Sequence, residues 1–349
     1  MKHYVSFFYA LLLSFLLAAC TGRKQNMLSL FASIDKAEIF KLDIETDSIR
    51  NPYLMECAEG KLFFANMNYS SLISVFDLSS GKHAGDFLTR GEGPEEALFV
   101  SNLAGCGGKL SVFDSDKQKV VFYHITKDSL VKSSCIELQN DTSFLFSTFN
   151  CLPLDAGRIA ATGLTKEHRI VLLDGHGVPY QAFGDYPGAR AKASGVENGL
   201  AYQAFMAYQP DKEVLAIGSS FGESVLFYDL RKVETPALLK EHTCAVPQYR
   251  NTSDKQSQSV AFGQDNIMGF LSLKASDQYC IGLYNGQKRV GMEYGGDKLL
   301  LFDWNGSPVK CLQLDQTYEQ MAYDEQSNRV ILLGLDKVTG EYKVMAVQI

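Results

Sequence analysis

The feature that most constrains this chain is a short apolar segment, ending in Phe-Asp or a close variant, that recurs along the sequence. The copies lie at 74–78, 111–114, 170–174, 225–230 and 300–304. Most follow another short apolar run, and several precede a turn with Gly or Asn and a further run, as at 79–88 and 305–314. Turn residues between apolar runs are typical of β-hairpins. The period of tens of residues therefore predicts repeated units of three or four strands.

Composition also favours strands. The 349 residues include 22 Phe and 17 Tyr but one Trp, and 46% are hydrophobic. Phe and Tyr in short runs with Val and Ile favour strands, and no long segment shows a helical period with caps. The chain is apolar enough to bury a large core. Its net charge of −7 is acidic and dispersed, which argues against a nucleic-acid partner.

The strand pattern divides into six units, which we place at 51–91, 97–139, 144–184, 199–247, 258–314 and 317–349. The last unit lacks its outer strand, and the alternating segment 38–44 has no unit of its own. Joining the two chain ends in one sheet closes a ring and removes exposed edges. The sequence thus predicts an all-β fold, a six-bladed β-propeller over 31–349 whose ring is closed by an N-terminal strand that completes the last blade.

An aspartate ends each Phe-Asp-like segment, and we take these five positions as equivalent in the blades. Recurrence within a repeat indicates a structural role, because an Asp side chain at a strand end bonds the backbone of the following turn. We therefore expect turn-initiating hydrogen bonds rather than catalysis. The residues are Asp77, Asp114, Asp174, Asp229 and Asp303.

Residues 1–19 form a targeting segment. Lys2 supplies a positive charge, and 7–19 is an apolar run too short to span a bilayer comfortably. The run ends in Leu-Ala-Ala-Cys at Cys20, which resembles a bacterial lipobox. The resemblance implies cleavage before Cys20, acylation of its thiol and a lipidated tether at 20–30, where two or three acyl chains give stable anchoring to the membrane. The alternative is an ordinary secretory signal, or an uncleaved anchor, with a chance cysteine.

The residues after Cys20 are polar and basic, with no acidic residue directly following it. By resemblance to bacterial lipoprotein sorting rules, this implies the outer membrane. Surface lipoproteins of Bacteroides-like bacteria often carry acidic residues at this point. We therefore favour the periplasmic face of that membrane over the cell surface.

The segment 89–96 reads Thr-Arg-Gly-Glu-Gly-Pro-Glu-Glu and follows the outer strand of the first unit. It resembles the Gly-x-Gly-Pro-Gly-Glu-Phe turn of TolB-like or NHL-like six-bladed propeller lipoproteins of Bacteroides-type bacteria. The chain departs from that pattern at Glu95, where Gly is usual, and at Ala97, where an aromatic residue is usual.

The inter-blade turn motif consists of Arg90, Gly91, Gly93 and Pro94. Gly91 and Gly93 permit a positive φ, and Pro94 fixes φ as the chain crosses to the next blade. We expect a structural role for this turn, and contact with a ligand is the alternative.

The two largest insertions, near 185–200 and 248–260, are our candidate ligand- or partner-binding loops, because loops on a rigid scaffold tend to carry binding. Within them we single out Asp185, Tyr186, Arg190 and Arg250. The seven cysteines after Cys20 show no C-x-x-C spacing and mostly lie in apolar runs, which predicts buried, small apolar side chains. Disulfides between neighbouring strands stay open as an alternative.

These observations favour an exported, lipid-anchored, monomeric propeller without catalytic residues or a cofactor, which recognises a protein or a glycan through loops on one face. The alternative is a metal-dependent lactonase or hydrolase with Ca²⁺ at the mouth of the central channel. Its ligands would come from several blades, so the sequence does not identify them. Ser48 and Ser129 follow Asp and precede an apolar residue, a pattern that resembles O-glycosylation sites of Bacteroides-like bacteria.

Overall fold

A computed structural model describes residues 26–127, 129–154, 157–189, 193–232, 234–254, 257–290 and 294–349, except for the side chain of Cys106. The predicted signal segment 1–19, Cys20 and Arg190 lie outside these residues. Within them, no helix is both long and apolar enough to cross a membrane.

The described chain begins with a 3₁₀ turn at Met27–Leu30, the strands β1 (Ile34–Lys36) and β2 (Ile39–Lys41), and a second 3₁₀ turn at Thr46–Ser48. Three four-stranded antiparallel sheets, blades 1 to 3, follow. Blade 1 contains β3 (Pro52–Ala58), β4 (Lys61–Asn66), β5 (Ser71–Asp77) and β6 (His83–Thr89). Blade 2 contains β7 (Val100–Cys106), β8 (Lys109–Asp114), β9 (Lys119–Ile125) and β10 (Leu130–Glu137). Blade 3 contains β11 (Leu145–Pro153), β12 (Ile159–Thr165), β13 (Ile170–Leu173) and β14 (Pro179–Phe183).

A short helix, α1 (Gly195–Ala201), precedes blade 4. Blade 4 contains β15 (Ala204–Gln209), β16 (Val214–Ser219), β17 (Glu223–Asp229) and β18 (Ala237–Ala245). A separate hairpin, β19 (Tyr249–Asn251) with β20 (Val260–Phe262), comes next. Blade 5 contains β21 (Phe270–Ala275), β22 (Tyr279–Tyr284), β23 (Gly296–Asp303) and β24 (Pro308–Tyr318). Blade 6 contains β25 (Gln320–Asp324), β26 (Arg329–Leu335) and β27 (Tyr342–Gln348).

The six blades form a closed ring. Their first strands contact one another in blade order, and β25 of blade 6 returns to β3 of blade 1. β2 pairs antiparallel with β27, with Ile39 opposite Val347, and supplies the missing outer strand of blade 6. The predicted all-β propeller, with an N-terminal strand closing the ring, is therefore confirmed.

Two details of the strands differ from the prediction. β20, which we placed at the start of the fifth unit, pairs with β19 instead and leaves blade 5 to begin at Phe270. β1 adds an unpredicted strand to the outer edge of blade 5, where it runs parallel to β24. Three residues with no alternation give too little pattern to predict such a strand.

The apolar core is divided among the contacts between blades. Six buried clusters each lie between two neighbouring blades; the cluster of blades 4 and 5, for example, includes Phe227 and Phe302, whose ring centroids are 5.8 Å apart. The Phe of the recurring segments thus packs against a neighbouring blade. Burying one such side chain contributes about 2–3 kcal/mol, which explains why the residue recurs.

The ring has two distinct faces. The loop face carries the connections between blades and the turns between second and third strands. The turn face carries the turns between first and second and between third and fourth strands. Asp77, Asp174, Asp229 and Asp303 end or follow third strands on the turn face, where each accepts hydrogen bonds from the backbone of the next turn. Their predicted role is confirmed.

Asp114 does not share this position, so the predicted equivalence is wrong for it. Asp114 ends β8, a second strand, and therefore lies on the loop face. It still accepts hydrogen bonds from the following turn, but also from the connection between blades 1 and 2.

The N-terminal segment is fixed to the loop-face end of blades 4 and 5. Met27 is fully buried, and its backbone N–H donates to Glu223 Oε1 at 3.1 Å. The Tyr284 hydroxyl donates to the same oxygen, and burial, reinforced by the Glu223 charge, raises the pKa of Tyr284. Phe31 then packs edge-on against Phe302 at 5.3 Å. The chain that follows residue 25 is thus part of the folded domain.

Candidate binding site at the mouth of the central channel

The first strands of the blades surround a central channel of about 810 Å³. An ion pair crosses it, because Lys274 Nζ of blade 5 lies 2.7 Å from Glu56 Oε2 of blade 1, with blade 6 between them. Both side chains are mostly buried, and Lys274 also donates to the Met55 carbonyl. Mutual neutralisation of two charges offsets much of the cost of removing them from water.

Amide side chains on the first strands link neighbouring blades. Asn102 Nδ2 donates to the Cys151 carbonyl at 2.7 Å, and Asn150 Nδ2 donates to the Ala204 carbonyl at 3.2 Å. Each bond joins a strand of one blade to the first strand of the next. The channel wall is therefore polar and held in place, which suits a preformed binding site.

Two pockets adjoin at the loop-face mouth of the channel and share Phe205 and Ser220. The apolar pocket, about 170 Å³, is lined mainly by residues of blades 1, 5 and 6, among them Tyr53, Phe270 and Tyr294. Burial raises the pKa of Glu319 in its wall. The second pocket, about 270 Å³, lies against blades 3 and 4; we call it the Arg169 pocket.

Arg169 lies directly before β13, and its side chain reaches from blade 3 to blade 4. It is 2% exposed. Nη2 donates to Ser219 Oγ at 2.7 Å and to the Tyr202 carbonyl at 3.4 Å, whereas Nε and Nη1 have no hydrogen-bond partner. Burial lowers the pKa of Arg169 below its usual value. The guanidinium is thus buried with part of its hydrogen-bonding capacity unused.

The two predicted binding loops lie on the loop face and pack against each other. Tyr186 and Tyr202 of the first contact Tyr249 of the second in one buried cluster. Tyr249 Oη donates to Asn198 Oδ1 at 3.3 Å, and Tyr202 Oη donates to the Pro187 carbonyl at 2.8 Å. The loops therefore form one wall beside the Arg169 pocket.

Within this wall the predicted residues have different surroundings. Asp185 and Arg250 are exposed to solvent, in positions open to a partner. Tyr186 is buried, shares a 2.6 Å hydrogen bond with Thr165 Oγ1 and lines the Arg169 pocket. Arg190 falls outside the described residues.

The inter-blade turn motif lies on the same face, and its polar groups form hydrogen bonds with neighbouring parts of the protein. Arg90 Nη1 donates to the Leu98 carbonyl at 2.9 Å, and the Gly93 N–H donates to Glu96 Oε2 at 2.8 Å. Neither Gly91 nor Gly93 has a positive φ, so the reason we gave for these glycines is wrong. A Cβ on Gly91 would overlap the Glu96 carboxylate, which folds over it. These glycines provide space rather than an unusual backbone angle, and Pro94 beside them is exposed.

Exposed apolar side chains stand on the second-to-third-strand turns of blades 5, 6 and 1. Val338 is 94% exposed, Tyr294 63% and Val290 58%. Met67 and Tyr69 of blade 1 are less exposed but still open to solvent. We call these five residues the apolar rim. It lies on the loop face of blades 5, 6 and 1, and Tyr294 also lines the apolar pocket.

Among the described side chains, no group of three His, Cys, Asp or Glu is placed to hold a metal ion. The six cysteines whose side chains are described are all free, and four of them are buried, as predicted. The hydroxyl groups of Ser48 and Ser129 are hydrogen-bonded to Glu45 and Thr126 respectively.

Sequence reasoning did not identify Arg169 or Phe205. Arg169 directly precedes an apolar strand, a position where a charged residue usually faces solvent, so the pattern gives no sign that the side chain turns inward. Phe205 follows the alternation of a first strand, and only the closed ring shows that it borders both pockets.

The fold defines the class of protein, a six-bladed β-propeller, here with two pockets on its loop face. A family model described as TolB-like 6-blade propeller-like matches residues 31–326. The chain belongs to that family, as the turn motif and blade count predicted.

Solved structures show the same fold at low sequence identity. A DUF4221 family member from Bacteroides vulgatus is 11% identical with a TM-score of 0.50, and the match covers 90% of this chain and 96% of that one. A Bacteroides fragilis protein named as exported is 13% identical with a TM-score of 0.53, covering 93% and 97%. Raptor of Chaetomium thermophilum is 11% identical with a TM-score of 0.51, covering 90% of this chain and 29% of Raptor. A search of curated proteins found no match.

Proposed function

We propose that this protein is a monomeric, non-catalytic binding module, acylated at Cys20 and held at the periplasmic face of the outer membrane. Its loop face engages a partner protein. The observation that carries the proposal is the apolar rim, which exposes Val338, Tyr294 and Val290 on the loop face. Exposed apolar side chains that cluster on one face are typical of protein interaction sites.

The composition of the rim favours a protein over a glycan as the partner. Three of its five residues are aliphatic or Met, and such side chains gain most from burial against another apolar surface. The two insertions on the same face would enlarge the contact, through exposed residues such as Asp185 and Arg250.

In this proposal, the lipid on Cys20 holds the propeller domain at the membrane. The described chain begins at Asn26, six residues after Cys20. A fully extended segment of that length spans about 20 Å, so the domain would remain close to the bilayer. A Bacteroides protein of the same fold is named as exported, which supports the same route for this chain.

Site-specific photocrosslinking tests the binding face. A photoreactive phenylalanine analogue at position 290 or 338 should capture one discrete protein in intact cells. The same analogue at Ser80 or Ser327, both exposed on the turn face, provides the matched control. Equal capture from both faces, or no capture from the rim, would contradict the proposal.

Cys20→Ala tests the anchor separately. We expect the variant to leave the membrane fraction, and protease added to intact cells should not cut the wild-type protein. Retention of the variant in membranes would contradict acylation at this residue, and cleavage of the wild type would place it at the cell surface.

A further inference from the structure

Arg169 carries a charge that the described protein does not neutralise. A guanidinium stays protonated in proteins even when burial lowers its pKa. Its side chain is 2% exposed, and no ion pair joins it to an acidic side chain of the described residues. Burying an unpaired charge is strongly unfavourable. A charge retained under these conditions calls for a partner anion.

The hydrogen bonds of Arg169 leave its fork partly free. Nη2 is committed to Ser219 Oγ and the Tyr202 carbonyl, and Ser219 Oγ is held by a 2.6 Å hydrogen bond to Ser224 Oγ. Nε and Nη1 have no partner. These two nitrogens lie on different edges of the guanidinium, so each offers its N–H groups to a separate ligand oxygen.

The cavity beside Arg169 is large enough for a small ligand and provides a second polar group that could bind it. The Arg169 pocket has a volume of about 270 Å³, large enough for a small organic acid. Asn150 in its wall has a buried Oδ1 with no partner, while its Nδ2 is used by Ala204. An unpaired acceptor near an unpaired cation matches a ligand that has both a carboxylate and a hydrogen-bond donor.

Aromatic side chains form the apolar part of the pocket. Phe149, Tyr202 and Phe205 line it, and Phe205 is shared with the apolar pocket beyond. Cζ of Arg169 lies 5.8 Å from the centroid of the Tyr202 ring. A ring or apolar chain on the ligand would therefore pack against Phe205 while its carboxylate meets Arg169.

We propose that the Arg169 pocket binds a small hydroxy- or amino-carboxylic acid, with one carboxylate oxygen accepting a hydrogen bond from Nη1 of Arg169 and its donor group on Asn150 Oδ1. Nη1 is buried, so the Arg169 side chain turns toward the cavity as the acid enters. This site is separate from the apolar rim and does not depend on a partner protein binding there.

Titration calorimetry of the wild-type chain without its signal segment is the first test. The probes are 3-phenyllactate, its neutral amide 3-phenyllactamide, and inorganic phosphate. We expect the acid to bind and the amide to bind at least about tenfold more weakly, because the amide lacks the charge that Arg169 requires. Absence of acid binding up to about 10 mM, or equal binding of acid and amide, would overturn the proposal. Equally tight binding of phosphate would overturn the assignment to carboxylates.

Arg169→Met provides the second test, with Arg231→Met as the matched control on the turn face. We expect the first variant to weaken acid binding by about tenfold or more and the second to leave it unchanged. The melting temperature of Arg169→Met should equal or exceed that of the wild type, because an unpaired buried charge has been replaced by an apolar side chain. A large fall in melting temperature would show that Arg169 is structural and would overturn the proposal. The wild-type titration tests acid binding independently, because it does not require a folded variant.

Discussion

Two strands carry the same local sequence, Val-Phe-Asp at residues 75–77 and 112–114, but they end on opposite faces of the ring. Phe76 and Phe113 have the same role, because each packs in an apolar cluster between neighbouring blades. The aspartates differ. Asp77 ends a third strand and bonds the turn that directly follows it, whereas Asp114 ends a second strand and also bonds a connection between blades. The repeated Val-Phe-Asp sequence therefore predicts the end of a strand, but it does not predict whether that strand is the second or the third of its blade.

Asp77 belongs to a local and partly solvated turn. Its Oδ1 accepts hydrogen bonds from the backbone and hydroxyl groups of Ser79 and Ser80, at 2.6 to 3.1 Å. The side chain is about one third exposed, and Lys61 Nζ lies 3.8 Å from its Oδ2. Water can replace many of the hydrogen bonds that this carboxylate accepts, so the turn contributes little to the free energy of unfolding.

Asp114 connects two parts of the loop face from a buried position. It accepts the N–H groups of Leu98 and Phe99, in the connection between blades 1 and 2, and those of Asp116 and Lys117 in its own turn. Lys117 Nζ in turn donates to the Gly93 and Glu96 carbonyls at 2.9 and 2.8 Å. The inter-blade turn is thus held by polar groups that all have partners.

Asp114→Ala should produce the largest effect. It removes the acceptor of four backbone N–H groups at once, in a place where water has little access. We expect the free energy of unfolding to fall by about 3–4 kcal/mol, measured by urea denaturation. Asp77→Ala, the matched control, should lower it by about 1 kcal/mol because its turn is solvated. Similar losses from the two variants would contradict the difference between the faces.

Gly91→Ala should have an intermediate effect on the same connection. The added Cβ would overlap the Glu96 carboxylate, so that side chain must move and release the Gly93 N–H. Gly91 has no positive φ, so backbone strain adds nothing. We expect a loss of about 1–2 kcal/mol in the free energy of unfolding.

A double-mutant cycle with Glu96→Ala identifies the cause of that loss. In the Glu96→Ala background the carboxylate is absent, so Gly91→Ala causes no clash. We then expect it to lower the free energy of unfolding by only about a few tenths of a kcal/mol. An undiminished cost in that background would show that another contact requires glycine.

The sequence predicted the blades because each strand pattern depends on its own residues. The recurring Phe, the turns and the gap in the last blade were enough to predict ring closure by a strand near 38–44, which β2 confirms. The two insertions were predicted as binding loops from length alone, and whether Asp185 and Arg250 contact a ligand stays a prediction. Arg169 could not be found in this way, because its burial depends on residues 33 to 50 positions away, Tyr202 and Ser219.

The smallest predicted effect isolates the charge of Asp77. Hydrogen bonds from the Ser79 hydroxyl and the Ser80 backbone lower the pKa of Asp77 to about 2. The folded-state pKa lies below the unfolded value, so this carboxylate stabilises the fold above about pH 4 and loses that contribution as the pH falls toward 2. Asp77→Asn keeps an acceptor oxygen but removes the titration. Its unfolding free energy should be lower than that of the wild type by less than about 1 kcal/mol near neutral pH, because the side chain is partly exposed. Urea denaturation should show this difference shrinking between about pH 4 and pH 3, and a constant difference would mean that the charge of Asp77 contributes nothing to the turn.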